Sequence, residues 1–162
     1  MFKKLLCLMA ALVLVSACDT TGTNEGAGGA NGAGGNMMKN AARPGTQEDL
    51  VVNVGDRVFF GFDKSDLSTE AQATLDRQAT WLKKYPSAKV TVEGHCDERG
   101  TREYNLALGE RRATAAKNYL VAAGIPAARI TTISYGKERP AVVGNNEAAW
   151  AQNRRAVTVV AQ

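Results

Sequence analysis

The chain has few of the residues that build metal sites, disulfide bonds or thiol catalysis. Its 162 residues include one histidine, His95, and three cysteines, of which Cys7 and Cys18 lie near the N-terminus. Structural zinc sites use four ligands of the Cys and His type, so His95 and Cys96 are too few to form one. Adjacent side chains on a strand also point to opposite faces, so these two cannot easily hydrogen-bond. We expect no metal, no cofactor and no catalysis; the chain is predicted not to be an enzyme.

A hydrophobic run long enough to span a membrane is also missing near the N-terminus. Residues 5–15 form an apolar run that follows Lys3 and Lys4. At about 1.5 Å per residue this run spans about 16 Å as a helix, roughly half of the hydrocarbon core of a bilayer. A charged start followed by a short apolar run is typical of a secretory signal peptide, and we assign residues 1–17 to it.

The end of this signal indicates a lipid anchor. The residues Val15-Ser16-Ala17-Cys18 resemble the bacterial lipobox, whose cysteine is lipidated and becomes the mature N-terminus. Three acyl chains exceed the two signals that stable anchoring needs. The alternative is an ordinary signal peptide followed by an incidental cysteine. With Cys7 removed and Cys18 lipidated, Cys96 has no disulfide partner, and we expect it to be buried.

Charge of one sign is not concentrated in the chain. The net charge of +4 falls to about +2 when Lys3 and Lys4 leave with the signal, which is too little to indicate nucleic-acid binding.

Residues 18–50 comprise the lipidated cysteine and a Gly-, Ala- and Asn-rich stretch without hydrophobic periodicity, which predicts a disordered tether. Residues 51–162 are predicted to form one folded domain.

The folded part alternates between strand and helix patterns. Strands are predicted at 57–62, 89–94, 130–135 and 155–160, and helices from Ser68 or Thr69 to Pro86, from about Tyr104 to Ala123, and at 147–153. The second helix has a predicted core stripe of Leu106, Gly109, Ala113, Ala116 and Leu120. The order β-α-β-α-β-(α)-β predicts an α+β sandwich in which helices cover one face of a mixed sheet.

A candidate binding site lies after the second strand. Asp97 follows this strand at the start of a Gly-containing loop, where α/β-type sheets usually place their sites. On the next helix, about 100° per residue places Arg111 in solvent and Arg112 at the margin of the core stripe, partly buried. Asp97 and Arg112 could together bind a ligand that carries an ammonium and a carboxylate. The alternative is that they pair with each other.

Six groups of residues match one family in order. They are FGFDK at 60–64, EGHCDERGT at 93–101, YN at 104–105, LGERRA at 108–113, SYG at 134–136 and NRRAV at 153–157. Over residues 51–160 the chain resembles the peptidoglycan-associated lipoproteins of the Tol-Pal system, whose C-terminal domain is shared with outer membrane protein A. The resemblance implies an OmpA-like fold that binds peptidoglycan non-covalently through the diaminopimelate residue of the stem peptide.

The resemblance also implies residue roles and partners. The family's ligand-binding Asp and Arg match Asp97 and Arg112, and Phe62, Asp63 and Asn105 match its ligand-contacting loop and helix start. A lipid-anchored protein of this family faces the periplasm from the outer membrane. Its partners are peptidoglycan, the propeller protein TolB and other Tol-system proteins, and it serves envelope integrity and cell division.

Two residues depart from the family pattern, and two other functions stay open. Gly61 stands where an acidic residue is common, and Asp19 resembles the inner-membrane retention signal of enteric bacteria, which leaves sorting to that membrane open. A peptidoglycan hydrolase and a module that binds only Tol-system proteins are the alternative functions.

Other aromatic and charged residues receive structural interpretations. Trp81, Tyr85 and Trp150 are predicted to be packing residues rather than a ligand platform. Arg154 and Arg155 are predicted to form a solvated charge pair or a structural ion pair. The pair at 98–99 is interpreted as solvated, and the alternative is a partner role, because the family resemblance implies a neighbouring surface that contacts TolB.

Overall fold

A mixed four-stranded β-sheet lies at the centre of the fold. The computed structural model describes residues 42–161. The strands are β1 (Arg57–Phe59), β2 (Val90–His95), β3 (Ile130–Gly136) and β4 (Arg155–Val160). Their order is β1-β4-β2-β3, with β4 antiparallel to both neighbours and β2 parallel to β3. The α+β class and the mixed sheet are confirmed.

Helices flank and connect these strands. They are α1 (Gln47–Asp49), α2 (Thr69–Lys84), α3 (Arg102–Ala122) and α4 (Glu147–Asn153), with a π-helical turn at Leu50–Val54 and a 3₁₀ turn at Ala127–Arg129. Helix α3 supplies the crossover that parallel strands β2 and β3 require. Within residues 42–161, no helix combines the length and apolar character that crossing a membrane demands. The predicted signal peptide and Cys18 lie outside the described residues, as does the predicted tether up to residue 41.

Side-chain caps determine where the long helices begin. The Ser68 hydroxyl accepts a hydrogen bond from the Ala71 amide at 3.2 Å, so Ser68 rather than Thr69 is the N-cap of α2. Thr101 caps α3 in the same way, which starts this helix two residues before the predicted position. The chain leaves α3 through Gly124, whose φ of 95° favours glycine, as the sequence indicated.

Helices α2 and α3 pack on one face of the sheet, as predicted. Their inward side chains and those of the strands form one hydrophobic cluster, which includes Val58, Leu75, Leu82, Val90, Val92, Ala113, Ala116, Leu120 and Ala156. Each large aliphatic side chain buried in it stabilises the fold by about 1.5–3 kcal/mol.

A close contact between α3 and β2 joins two glycines. A Cβ atom added to Gly94 would lie 1.9 Å from the carbonyl oxygen of Gly109. Only glycine at this point of β2 lets the helix backbone rest directly on the strand. Asp97 and Arg112 each lie three residues beyond one of these glycines, so the contact brings both toward the same end of the sheet.

The first strand is shorter and less buried than predicted. We expected a buried strand over residues 57–62, but β1 ends at Phe59, and only the Phe60 amide continues the pairing, donating to the Arg154 carbonyl at 2.9 Å. Val58 and Phe60 are buried while Phe59 is 42% exposed. Burial alternates along β1 because helices cover only one face of the sheet.

The core stripe of α3 is also rotated from its predicted position. Leu106 is 45% exposed, whereas Leu108 is buried and Arg112 is fully buried. The stripe therefore includes Arg112 instead of placing it at the margin. The remaining predicted members, Gly109, Ala113, Ala116 and Leu120, are buried as expected.

The folded domain begins before Val51, the boundary predicted from the sequence. Leu50 is fully buried in the core, and Asp49 is 8% exposed. The Trp81 indole donates to the Asp49 carboxylate at 2.8 Å. Residues of α1 that were assigned to the tether are therefore fixed to α2 by packing and by a buried hydrogen bond.

Candidate ligand-binding site at the end of strand β2

A cavity of about 160 Å³ lies where β2 ends and α3 begins. Its lining consists of Phe62, Asp63, Cys96, Asp97, Arg99, Gly100, Tyr104, Asn105, Leu108 and Arg112. The structure thus brings together all five residues that the sequence predicted for the site. The volume is below the roughly 300–1,000 Å³ of drug-sized ligand pockets, so it suits the tip of a side chain.

A second, larger groove has different chemistry. It measures about 580 Å³ and runs between α3 and β3, lined by Glu103, Leu106, Ala107, Glu110, Thr132, Ile133 and Ser134. This lining contains acidic and apolar side chains but no basic one. Of these two, the smaller cavity is the one whose lining offers both signs of charge to one ligand.

The carboxylate of Asp97 is buried and held by two arginines. Its Oδ1 accepts from the Arg99 backbone amide at 3.1 Å and from Arg99 Nε at 3.2 Å. Its Oδ2 accepts from Arg99 Nη2 at 2.6 Å and from Arg154 Nη1 at 3.3 Å. Burial alone would raise the pKa of Asp97, but the bonds from Arg99 and Arg154 outweigh it and lower the pKa below its ordinary value. Asp97 is therefore ionised at neutral pH.

The guanidinium of Arg112 forms the floor of the cavity. Its Nε donates to the Lys64 carbonyl at 2.8 Å, Nη1 to the His95 carbonyl at 2.9 Å, and Nη2 to the Gly61 carbonyl at 3.1 Å. Burial lowers the pKa of Arg112 from its ordinary value, yet an arginine stays charged in proteins. A guanidinium has about five N–H donors, so roughly two of them are left for a ligand.

Asp97 and Arg112 do not form an ion pair with each other. Within residues 42–161, Asp97 pairs with Arg99 and Arg154, and the donors of Arg112 go to backbone carbonyls. The alternative in which the two predicted ligand residues neutralise each other is therefore wrong for this structure. Both side chains instead line the same cavity.

The other three predicted residues surround the cavity in different roles. Asn105 is buried, and its Nδ2 donates to the carbonyls of Arg99 at 2.7 Å and Thr101 at 3.0 Å, which holds the loop onto the start of α3. Asp63 has a positive φ of 56° and accepts from the Tyr104 hydroxyl. Phe62 is 60% exposed at the mouth.

Sequence reasoning missed two arginines and one tryptophan of this site. The interpretation of the pair at 98–99 as solvated is wrong for Arg99, which is bound to Asp97. Arg154 forms a buried ion pair with Asp97, so of the two alternatives for it the structural ion pair is correct. The Trp150 ring lies against the Arg99 guanidinium at 4.0 Å. The Asp-x-Arg spacing at 97 and 99 was the available signal for the first of these pairs.

His95 and Cys96 are buried and lack the arrangement of a catalytic pair. The Cys96 thiol donates to the Asn105 carbonyl at 3.3 Å, and burial raises its pKa, which keeps it protonated. Both ring nitrogens of His95 are without a hydrogen-bond partner among the described residues. The same part of the chain contains no group of three His, Cys, Asp or Glu residues suited to a metal ion.

Known proteins are similar to the chain along most of its length. Residues 59–154 match the OmpA family. The peptidoglycan-associated lipoprotein of Rhizobium meliloti (strain 1021) is 58% identical over 137 residues, covering 85% of this chain and 74% of that protein. Its counterpart in Agrobacterium fabrum is 52% identical over 152 residues, covering 93% and 82%.

A solved structure agrees with these relatives. The crystal structure of the peptidoglycan-associated lipoprotein from Burkholderia pseudomallei aligns with a TM-score of 0.64 at 43% sequence identity, covering 65% of this chain and 90% of that one. These relatives are named for an association and not for a reaction, in agreement with the prediction that the chain is not an enzyme. The chain belongs to the OmpA family and, within it, to the peptidoglycan-associated lipoproteins.

Proposed function

We propose that the chain binds peptidoglycan non-covalently and links a bacterial membrane to the cell wall. The family assignment supports this role, because the relatives are named for association with peptidoglycan. The observation that carries the proposal is the placement of Asp97 and Arg112 in one cavity without a bond between them. A cavity that contains a carboxylate and a guanidinium not paired with each other is suited to a ligand that carries both charges.

The ligand group we propose is the side-chain end of diaminopimelate in the stem peptide. This end carries an ammonium and a carboxylate on one carbon. The ammonium would donate to Asp97, and the carboxylate would accept from the remaining N–H groups of Arg112. Phe62, Asp63 and Asn105 would shape the mouth and the loop around this group. The small cavity volume agrees with a side-chain tip as the bound part.

This assignment predicts selectivity between cell walls. A lysine-type stem peptide has the ammonium but lacks the terminal carboxylate. Its binding would leave the remaining N–H groups of the buried Arg112 without a carboxylate, and losing a buried charge-assisted pair costs on the order of 2–5 kcal/mol. We therefore expect diaminopimelate-type muropeptides to bind at least about 30-fold more tightly than lysine-type ones.

The test is a calorimetric titration of the full chain with a diaminopimelate-containing muropeptide. Asp97→Asn keeps the shape of the side chain but removes its charge, and we expect it to weaken binding by about 30-fold or more. Arg112→Lys keeps a positive charge but loses the bidentate geometry of the guanidinium, and we expect a comparable loss of affinity.

The matched control for this titration is Asp66→Asn. Asp66 is exposed, and it is absent from the cavity lining. We expect it to bind as the wild type does. If Asp97→Asn keeps its fold by circular dichroism and its full affinity, the proposed site is wrong.

The membrane end and the protein partners belong to the same proposal. Lipidation at Cys18 would anchor the chain, and the family's usual location is the outer membrane facing the periplasm, although Asp19 leaves the choice of membrane to be measured. We propose TolB and the Tol system as partners in envelope integrity and cell division. A pull-down with TolB as bait tests this, and failure to recover the chain would remove that partner.

A further inference from the structure

The ligand-binding carboxylate of the cavity is already fully occupied by the protein. Asp97 accepts four hydrogen bonds, three from Arg99 and one from Arg154. A carboxylate offers about four lone-pair positions. An incoming ammonium therefore has to displace one of these donors before it can reach Asp97.

The two arginines on Asp97 differ in how firmly they are held. The side chain of Arg154 is 7% exposed, and it also donates to the Phe60 carbonyl at 3.0 Å and to Glu147 Oε1 at 2.5 Å. The side chain of Arg99 is 32% exposed, and among the described residues its guanidinium donates to Asp97 alone. Arg99 is therefore the donor that a ligand can displace, because its release breaks bonds to one partner only.

Two aromatic rings hold the Arg99 guanidinium at the mouth of the cavity. Its central carbon lies 4.1 Å from the centroid of Phe62 and 4.0 Å from that of Trp150. The Trp150 indole is itself fixed by donation to Glu98 Oε1 at 3.1 Å. Cation–π contacts of this kind contribute about 0.5–1 kcal/mol each at exposed positions. The guanidinium thus has a defined place between the rings and over Asp97.

We infer that Arg99 is an internal stand-in for the ligand's cation, which occupies Asp97 in the free protein and is exchanged for the ammonium on binding. This inference rests on the proposed function and adds a residue that sets its affinity. The exchange conserves charge at Asp97: one cation leaves the carboxylate and another takes its place. The Arg99 backbone amide and Arg154 stay bound to Asp97 during the exchange and keep the carboxylate in position.

Competition from Arg99 lowers the affinity for the wall. A ligand has to break the Arg99–Asp97 ion pair and the stacking of Arg99 between Phe62 and Trp150. A partly exposed ion pair is worth about 0–1 kcal/mol, so the competition is modest and reversible.

The experiment compares muropeptide affinity in variants of the full chain. Arg99→Met keeps the length of the side chain and its contact with the rings but removes the cation. We expect Arg99→Met to bind the diaminopimelate-containing muropeptide about threefold to tenfold more tightly than the wild type. Arg99→Lys retains a charge but loses the bidentate geometry, and we expect a smaller gain.

The control is Arg102→Met. Arg102 is an exposed arginine nearby in the chain that pairs with Glu138, and it does not line the cavity. It should bind the muropeptide as the wild type does, which separates loss of competition from a general loss of positive charge.

Nuclear magnetic resonance supplies a second readout. Ligand addition should shift the indole resonance of Trp150 in the wild type, because the guanidinium leaves the face of that ring. The buried Trp81 indole, bonded to Asp49, should stay unchanged and serves as the internal reference. In Arg99→Met the ligand-induced shift of Trp150 should shrink.

The possible results separate this inference from the proposed function. Equal or weaker binding by Arg99→Met overturns the stand-in role while leaving the site itself in place, provided that Asp97→Asn still weakens binding as expected. Absence of binding in the wild type, or full binding by Asp97→Asn, overturns the proposed function instead.

Discussion

Asp97 and His95 are both buried, but burial opposes the lowering of the pKa of Asp97 and causes that of His95. Asp97 has arginine donors, so its pKa is lowered even though burial opposes this. Because its folded pKa is depressed, Asp97 contributes stability above its unfolded pKa, and this contribution is lost as the pH falls through the folded pKa. His95 has no hydrogen-bond partner for its ring, and burial, followed by the charge of Arg155, lowers its pKa to about 4. His95 is therefore neutral in the folded protein.

The titration of His95 predicts a pH-dependent stability. Below its ordinary pKa of 6.5 the unfolded chain binds a proton that the folded chain rejects until about pH 4. The free energy of unfolding should therefore fall by about 2 kcal/mol between pH 7 and pH 5. His95→Phe keeps a ring beside Tyr135 and should remove this loss. Urea unfolding at both pH values measures it.

The histidine content of the chain makes the measured loss of stability easy to assign. His95 is its single histidine, so no other side chain has an ordinary pKa near 6.5. Glu93 Oε2 lies 3.6 Å from Nε2 of the ring, and the charges of Arg155, Arg139 and Arg57 act on it. An equal loss of stability in the wild type and in His95→Phe would show that another group is responsible.

The sequence predicted which residues share the cavity better than how they interact. Strand ends and helix phase placed Asp97 and Arg112 together, since both follow from backbone periodicity. The depth of Arg112 was not predictable, because it depends on three carbonyls, those of Gly61, Lys64 and His95, that approach it from other parts of the fold.

At the scale of elements, the position of α3 on β2 sets the geometry of the site. The backbones touch at Gly94 and Gly109, and the hydroxyl of Ser134 on β3 lies 2.3 Å from the position that a Cβ of Gly109 would take. The Ser134 hydroxyl donates to the Leu106 carbonyl at 2.7 Å. Because both the strand end with Asp97 and the helix turn with Arg112 start from this contact, a change here should alter stability and ligand binding together.

Gly94→Ala tests this dependence. Its new methyl group would meet the Gly109 carbonyl oxygen, a backbone atom that cannot move without shifting α3. Overpacking of this kind costs about 1–3 kcal/mol, and we expect a value near 3 kcal/mol with weaker muropeptide binding. Urea denaturation gives the free energy of unfolding, and a muropeptide titration gives the affinity.

Gly61→Ala is the matched control for this substitution. Its methyl group would meet only the flexible Lys64 side chain, at 3.1 Å. We expect its stability to stay within about 0.5 kcal/mol of the wild type. If Gly94→Ala lost no more stability than Gly61→Ala, the two backbones could not be in direct contact.

Element boundaries were predictable where the pattern was simple. The bounds of α4 and β4 agree with those predicted from the sequence, because a Gly- and Asn-containing loop separates both elements from β3. The end of β1 was not predictable, since the run from Val58 to Phe60 is apolar on both faces and does not show which face is covered. Only the sheet order reveals β1 as an edge strand.

At the scale of the whole molecule, the proposed wall binding and the proposed membrane anchoring are assigned to separate parts of the chain. The cavity lies in the domain within residues 42–161, whereas the proposed lipid anchor is at Cys18. Composition and the lipobox-like motif predict the anchor from the sequence alone, because such signals are read as linear motifs. The competition between Arg99 and a ligand was beyond sequence reasoning, because it requires the relative positions of Phe62, Asp97 and Trp150.

Because the two roles are assigned to separate parts of the chain, one substitution should remove membrane anchoring and another should remove wall binding. In Cys18→Ser the acyl chains are missing, and each buried methylene contributes about 0.8 kcal/mol to membrane binding, so the variant should leave the membrane fraction. Its domain is unchanged, so it should still sediment with isolated sacculi. Asp97→Asn should stay with the membrane and should not sediment with isolated sacculi.

Fractionation after enzymatic digestion of the wall measures the membrane part alone. Because digestion removes any indirect attachment through peptidoglycan, wild type and Asp97→Asn should stay with the membrane while Cys18→Ser becomes soluble. Retention of Cys18→Ser in the digested membrane fraction would mean that another segment, and not the lipid on this cysteine, holds the chain to the membrane.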